Sequence, residues 1–95
     1  MVFLISYEIN EILYDYTELK ESIKALGDFQ HPMDSLWFVD SRTEDINIVA
    51  ERLRSTLPSK NDHIFILRLN DNTIQRQGWL PRSFWIWLKD HLSDD

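Results

Sequence analysis

Strand-like and helix-like hydrophobic periodicity alternate along this 95-residue chain, and their order limits the fold more than any single motif does. In chain order the patterns predict a strand at 2–9, a helix at about 16–26, the two strands of a hairpin at 28–41, a helix that follows Thr43 and has its apolar stripe at 46–57, a strand at 63–69 and a helix from Pro81 to about Leu92;. The first six elements match a ferredoxin-like βαββαβ arrangement. We therefore expect an α+β fold, a single ferredoxin-like domain over residues 1–95 with an extra C-terminal helix.

Local signals predict where the helices begin and end. Asp15 followed by Glu18 has the spacing of a capping box at the start of the first helix;. Gly27 is predicted to end that helix at the position after its C-cap, which glycine favours. Thr43 is predicted to cap the second helix, with Glu44 and Asp45 placed to interact favourably with the helix dipole.

Composition limits the classes of protein that this chain can belong to. The formal net charge is −6, and there are no cysteines, so disulfides and thiolate metal sites are excluded and a reducing compartment is expected. The apolar run after Met1 lacks the basic residues and the length of a signal peptide, and it is too short to span a membrane. We expect a cytoplasmic protein without membrane contact, and the acidic balance disfavours tight, non-specific binding of nucleic acid.

The strands carry more apolar surface than two helices can cover. Residues 2–8, 36–39 and 64–67 are apolar on both faces, whereas the helices of a ferredoxin-like domain cover one face, and an open apolar face is unusual in a monomer. A homodimer through the second face is the favoured prediction, because two-fold pairs are the commonest oligomers. The alternative is that the C-terminal helix folds over this face within one chain. In either arrangement Trp37 and Leu53 are predicted to be buried.

Several segments, taken in their order, carry a resemblance to a known family. They are Leu4–Ile9, Gly27–Trp37, Asn61-Asp62 and Trp87-Leu88. The chain resembles the small ferredoxin-like adaptation protein of CRISPR systems and the related virulence-associated D toxins, and it looks closest to bacterial and phage proteins labelled SinR-like. The resemblance implies a dimer from a bacterial or phage mobile-element system, with divalent-metal-dependent nuclease activity.

The resemblance also implies a catalytic position at the end of the first strand. In the CRISPR-associated family an Asp in a Tyr-Asp-Ile/Leu motif faces its copy across the dimer axis and holds a divalent ion. Here the motif reads Tyr7-Glu8-Ile9. By resemblance Glu8 is therefore the catalytic and metal-binding residue, Tyr7 is a neighbouring substrate-positioning residue, and Mg²⁺ or Mn²⁺ is the cofactor. Glutamate keeps the oxygen ligands that a hard cation requires, but its side chain is one methylene longer, and catalytic geometry is sensitive to such a shift.

Two further groups of polar residues are candidates for function. His31 lies near Asp34 and has the side chain of a general base;. Arg68, Arg76 and Arg82 are interleaved with Trp79, a combination that can contact phosphates and stack a base. A solvated loop is the simpler explanation of the arginines, and the three histidines lack metal-ligand spacing.

The sequence leaves two classes of function open. One is a CRISPR-adaptation-like, metal-dependent nuclease dimer that acts on nucleic acid. The other is a non-catalytic dimer that binds a protein partner and has lost the nuclease site. Whether the chain is an enzyme is therefore left undecided at this stage.

Overall fold

The computed structural model describes residues 1–10, 15–43, 45–59 and 61–92. Its seven elements follow the predicted order. They are β1 (Val2–Glu8), α1 (Thr17–Lys24), β2 (Gly27–Met33), β3 (Leu36–Ser41), α2 (Ile46–Arg54), β4 (His63–Leu69) and α3 (Arg82–His91). None of the helices in the described part of the chain is long and apolar enough to cross a membrane.

The four strands form one antiparallel sheet in the order β2-β3-β1-β4. β1 is central, and its register places Ile5 opposite Trp37 on one side and Ile66 on the other. This order, with α1 and α2 as the connections, is compatible with a ferredoxin-like fold. The predicted α+β class is confirmed.

Helices α1 and α2 bury the first face of the sheet. Phe3 and Ile5 of β1 are fully buried there against Leu19 of α1 and Leu53 of α2. Trp37 is 1% exposed in the same cluster, so both residues predicted to be buried are confirmed as core. Burial of such side chains contributes about 1.5–3 kcal/mol each.

Helix α3 covers part of the second face within the same chain. Phe84, Trp87 and Leu88 pack against Val2 and a few neighbours on this face, which include Phe38 and Leu69. These contacts lie at the end of the sheet where β1 begins. The predicted alternative to a dimer, in which the C-terminal helix folds over the second face within one chain, is therefore present for this part of the face.

A polar contact joins the end of α3 to the edge of the sheet. His91 lies with Nδ1 2.7 Å from the carbonyl oxygen of Trp87 and Nε2 2.8 Å from Oδ2 of Asp28. Both ring nitrogens therefore face acceptors, one on α3 and one on β2. The hydrogen bond from His91 lowers the pKa of Asp28, and the contact weakens as acid protonates that carboxylate.

The helix starts differ in detail from the prediction. The N-cap of α2 is Asp45, whose side chain accepts a hydrogen bond from the backbone N–H of Asn47 at 2.9 Å. Thr43 instead accepts from the N–H of Asp45 at 3.3 Å, and the predicted role of Glu44 lies outside the described residues. The N-cap is Asp45 and not Thr43 because α2 begins at Ile46, and an N-cap residue immediately precedes the first helical residue;.

Gly27 begins β2 and does not end α1, contrary to the prediction. The C-cap of α1 is Ala25, and the chain passes directly into the strand. A Cβ atom on Gly27 would lie 2.0 Å from the backbone carbonyl oxygen of Asp40 on β3. Glycine is therefore required here by the close approach of two strands.

Candidate functional site

The two residues at the end of β1 point to opposite faces of the sheet, because strand side chains alternate. Tyr7 is buried on the face that α1 and α2 cover. Glu8 is exposed, and its register partner on β4 is His63. The predicted pair is thus adjacent in sequence but divided between an internal position and a solvent-facing one.

The Tyr7 hydroxyl is held by its neighbours on both of its hydrogen-bonding sides. It accepts from Nε1 of Trp37 at 3.1 Å and donates to the backbone carbonyl oxygen of Asp34 at 3.3 Å. Burial raises the pKa of Tyr7, and the hydrogen bond from Trp37 opposes that rise;. This geometry favours a role in joining β1 to the β2–β3 turn over a role in proton transfer.

His31 lies beside these residues on β2, an edge strand of the sheet. Its ring stacks on Trp37 with centroids 3.6 Å apart, and Nε2 is 2.9 Å from the carbonyl oxygen of Asp34. Since a carbonyl only accepts, Nε2 is the donor in this hydrogen bond. His31 therefore also supports the turn.

These side chains border an open cleft of about 550 Å³ at the end of the sheet. Lys20 of α1 supplies a cationic group, and Glu8 and Asp34 supply carboxylates. The cleft thus brings together Tyr7, Glu8 and His31, three of the residues singled out from the sequence. It contains no nucleophile positioned by a base among the described residues.

Glu8 has few neighbours that could complete a metal site. Within the described residues no group of three or more His, Asp or Glu side chains is arranged to hold a metal ion. Glu8 and His63 are the pair that the sheet places together. A divalent ion bound to Glu8 would need oxygen ligands from elsewhere, such as a second copy of the chain and water.

The three candidate arginines lie on different parts of the molecule. Arg68 is exposed on β4, where its register partner Phe3 belongs to the face covered by α1 and α2. Arg76 lies in the connection between β4 and α3, which runs beside the second face, and Arg82 begins α3. Arg68 therefore faces away from the other two.

Arg76 has a structural partner in its own loop. Its guanidinium donates to the backbone carbonyl oxygens of Asn72 and Ile74 at 3.0 and 2.9 Å, and to the Asn72 side-chain oxygen at 3.1 Å. Asn72 in turn donates to the carbonyl oxygens of Lys89 and Leu92 at the end of α3. The loop is thereby fastened to the helix that covers the second face.

A mainly apolar surface lies beside this loop, on the part of the second face that α3 leaves open. It is a groove of about 470 Å³. Leu4, Met33, Leu36, Leu67, Trp79 and Phe84 are among its lining residues. We call it the apolar groove. Trp79 at its rim is 95% exposed, and Phe65, on the same face of β4 as Leu67, is 59% exposed; the sequence indicated excess apolar surface here but not its location.

No protein-family model, curated protein or solved structure matches this chain. The class to which it can be assigned is therefore defined by its architecture: a small α+β domain with a four-stranded antiparallel sheet and three helices, compatible with a ferredoxin-like fold.

Proposed function

We propose that this chain is a non-catalytic protein-interaction module that works as a homodimer. The observation that carries the proposal is the exposure of large apolar side chains on the second sheet face and on the loop beside it. Met33, Phe65, Leu67 and Trp79 are all exposed by 45% or more of their surface. Exposed apolar patches of this kind mark interaction surfaces in soluble proteins.

A second copy is the occupant best supported by the chain itself. The surface charge is strongly acidic overall, with 16 Asp and Glu against 10 Lys and Arg. The groove and β4 are instead formed mostly by uncharged side chains. Two copies that meet here bring together their least acidic surfaces, which limits the repulsion between them.

The oligomeric state tests this proposal. At micromolar concentration we expect light scattering to give twice the chain mass of 11.4 kDa, because burial of the exposed side chains favours association. The mass should fall toward that of one chain on dilution. A mass of one chain throughout the micromolar range would contradict the proposal.

A second function is favoured by the exposed position of Glu8. Its carboxylate ends the central strand beside an open cleft, which is where the resemblance to the CRISPR-associated family requires a metal-binding acid. On this second proposal a homodimer brings two Glu8 carboxylates around one Mg²⁺ or Mn²⁺ ion, which would support phosphodiester hydrolysis of RNA or DNA.

Metal-dependent stability separates the two functions. For a non-catalytic module we expect metal to have no effect on stability. The wild type, Glu8→Gln and the control Glu18→Gln should each have the same melting temperature in Mg²⁺, in Mn²⁺ and in a chelator. A shared ion would instead relieve carboxylate repulsion, and would raise the melting temperature of the wild type and Glu18→Gln but not of Glu8→Gln. Cleavage of labelled RNA or DNA that is lost in Glu8→Gln and kept in Glu8→Asp would establish the nuclease.

A further inference from the structure

We propose that β4 is the dimer interface, and that it pairs antiparallel with β4 of a second copy to form a continuous eight-stranded sheet. The inference rests on the proposed homodimer and specifies its interface. β4 is an edge strand that pairs only with β1 in the part of the chain that the structure describes. Its outer backbone groups are therefore available to a further strand.

The two edges of this sheet differ in the features that prevent strand addition. β2, the other edge, contains Pro32, and its pairing with β3 is irregular between Gln30 and Met33. Proline and bulges are the usual means by which edges avoid pairing. β4 has neither, and its seven residues pair with β1 in unbroken register from His63 to Leu69. Of the two edges in the described part of the chain, β4 is therefore the regular one, without a proline or a bulge.

Two-fold symmetry restricts the register of such a pair. In an antiparallel pair of identical strands, the two-fold axis must pass between a residue and its own copy. All seven residues of β4 are paired when this residue is Ile66, the middle of the strand. Phe65 then lies opposite Leu67 of the second copy, and the same contact occurs twice. The two most exposed apolar side chains of the strand are thus paired with each other;.

The charges on β4 and the positions of the helices are consistent with this register. β4 carries no carboxylate, and its only formal charge, on Arg68, falls opposite Ile64 of the second copy. Because the axis is perpendicular to the sheet, α1 and α2 of both copies lie on one side. Both α3 helices and both apolar grooves lie on the other side, where the paired strands join the two grooves.

Phe65→Lys tests the interface against a matched control. The side chain is exposed, so the domain should still fold, but two ammonium groups at the edge should reduce the dimer to a monomer by light scattering. Met33→Lys places the same charge at a side chain of similar exposure, 55% against 59%, on the opposite edge. It should leave the dimer intact. A dimeric Phe65→Lys variant, or loss of the dimer in both variants as expected for packing through the groove, would overturn the β4 interface.

The register is tested by mixing two variants. Leu67→Glu alone should also be monomeric. When it is mixed with Phe65→Lys, the Ile66-centred register sets the introduced ammonium of one chain opposite the introduced carboxylate of the other, and the remaining Phe65 opposite the remaining Leu67. We expect a heterodimer by native mass spectrometry, formed at least tenfold more than either homodimer. A mixture that stays monomeric would overturn this register.

The outcomes distinguish the inference from the proposed function on which it rests. A monomeric wild type overturns both. A dimeric wild type whose dimer withstands Phe65→Lys overturns the β4 interface and leaves the homodimer standing.

Discussion

Leu53→Ala is expected to lower the free energy of unfolding by about 2–5 kcal/mol, because it removes a fully buried side chain and leaves a cavity. Leu53 has no exposed surface and lies in the first core between α2 and the sheet. Native domains have a total stability of about 5–15 kcal/mol, so the loss is a substantial fraction of the stability of the fold. Guanidinium denaturation at equal protein concentration measures the change.

Ile48→Ala is the matched control for that experiment. Ile48 lies on the same helix but is 43% exposed, and alanine is the better helix former. We expect a change below about 1 kcal/mol. An equally small loss for Leu53→Ala would contradict the assignment of α2 to the core.

Gly27→Ala is expected to destabilise the fold by about 3 kcal/mol, at the upper end of the range for overpacking. The added Cβ would lie 2.0 Å from a backbone oxygen of β3, and neither strand can yield without loss of their hydrogen bonds. Thermal unfolding measures the loss, and hydrogen exchange in β2 should rise with it.

Gly78→Ala serves as the control for this second effect. A Cβ at Gly78 would lie 3.7 Å from the Trp85 ring, an ordinary van der Waals distance. Its melting temperature should stay within a few degrees of the wild type. Equal losses at the two glycines would mean that the contact with β3 does not determine the requirement for Gly27.

Periodicity in the sequence predicts the element order and the first core because both depend on local patterns. The stripe that includes Val49 and Leu53 defines the buried face of α2 without knowledge of its partners;. The position of Gly27 depends instead on the approach of Asp40 from another strand. A contact between residues distant in sequence leaves no local pattern. The local sequence around Gly27 is instead typical of a helix end.

The second sheet face shows the same limit for the candidate site. Apolar residues on both faces of β4 indicate that both faces should be covered, yet Phe65 and Leu67 are exposed. The sequence cannot specify how far α3 extends over the sheet, because that depends on where the loop before it is fastened. Arg76, predicted as a phosphate contact, is part of this fastening.

The two proposed functions require different positions of Glu8 in the dimer. Glu8 lies opposite His63 at one end of β4. In the β4-paired dimer the two copies of Glu8 are separated by six residues along the strand direction and by three strand spacings across the sheet. That places them about 25 Å apart. Two Glu8 side chains that share one ion keep their Cα atoms within about 14 Å of each other, because each Cα lies at most about 5 Å from its carboxylate oxygens and metal–oxygen distances are near 2 Å.

The distance between the two copies of residue 8 therefore tests the central claim most directly. The chain has no cysteines, so Glu8→Cys gives one labelling site in each copy, and loss of the carboxylates removes any repulsion that would oppose a Glu8-centred dimer. Dipolar coupling between spin labels at this position measures their separation. We predict a distance of roughly 25 Å, as strand geometry in the β4-paired module requires. A distance of about 14 Å or less would contradict that pairing and would support a dimer centred on residue 8, as the second proposal requires.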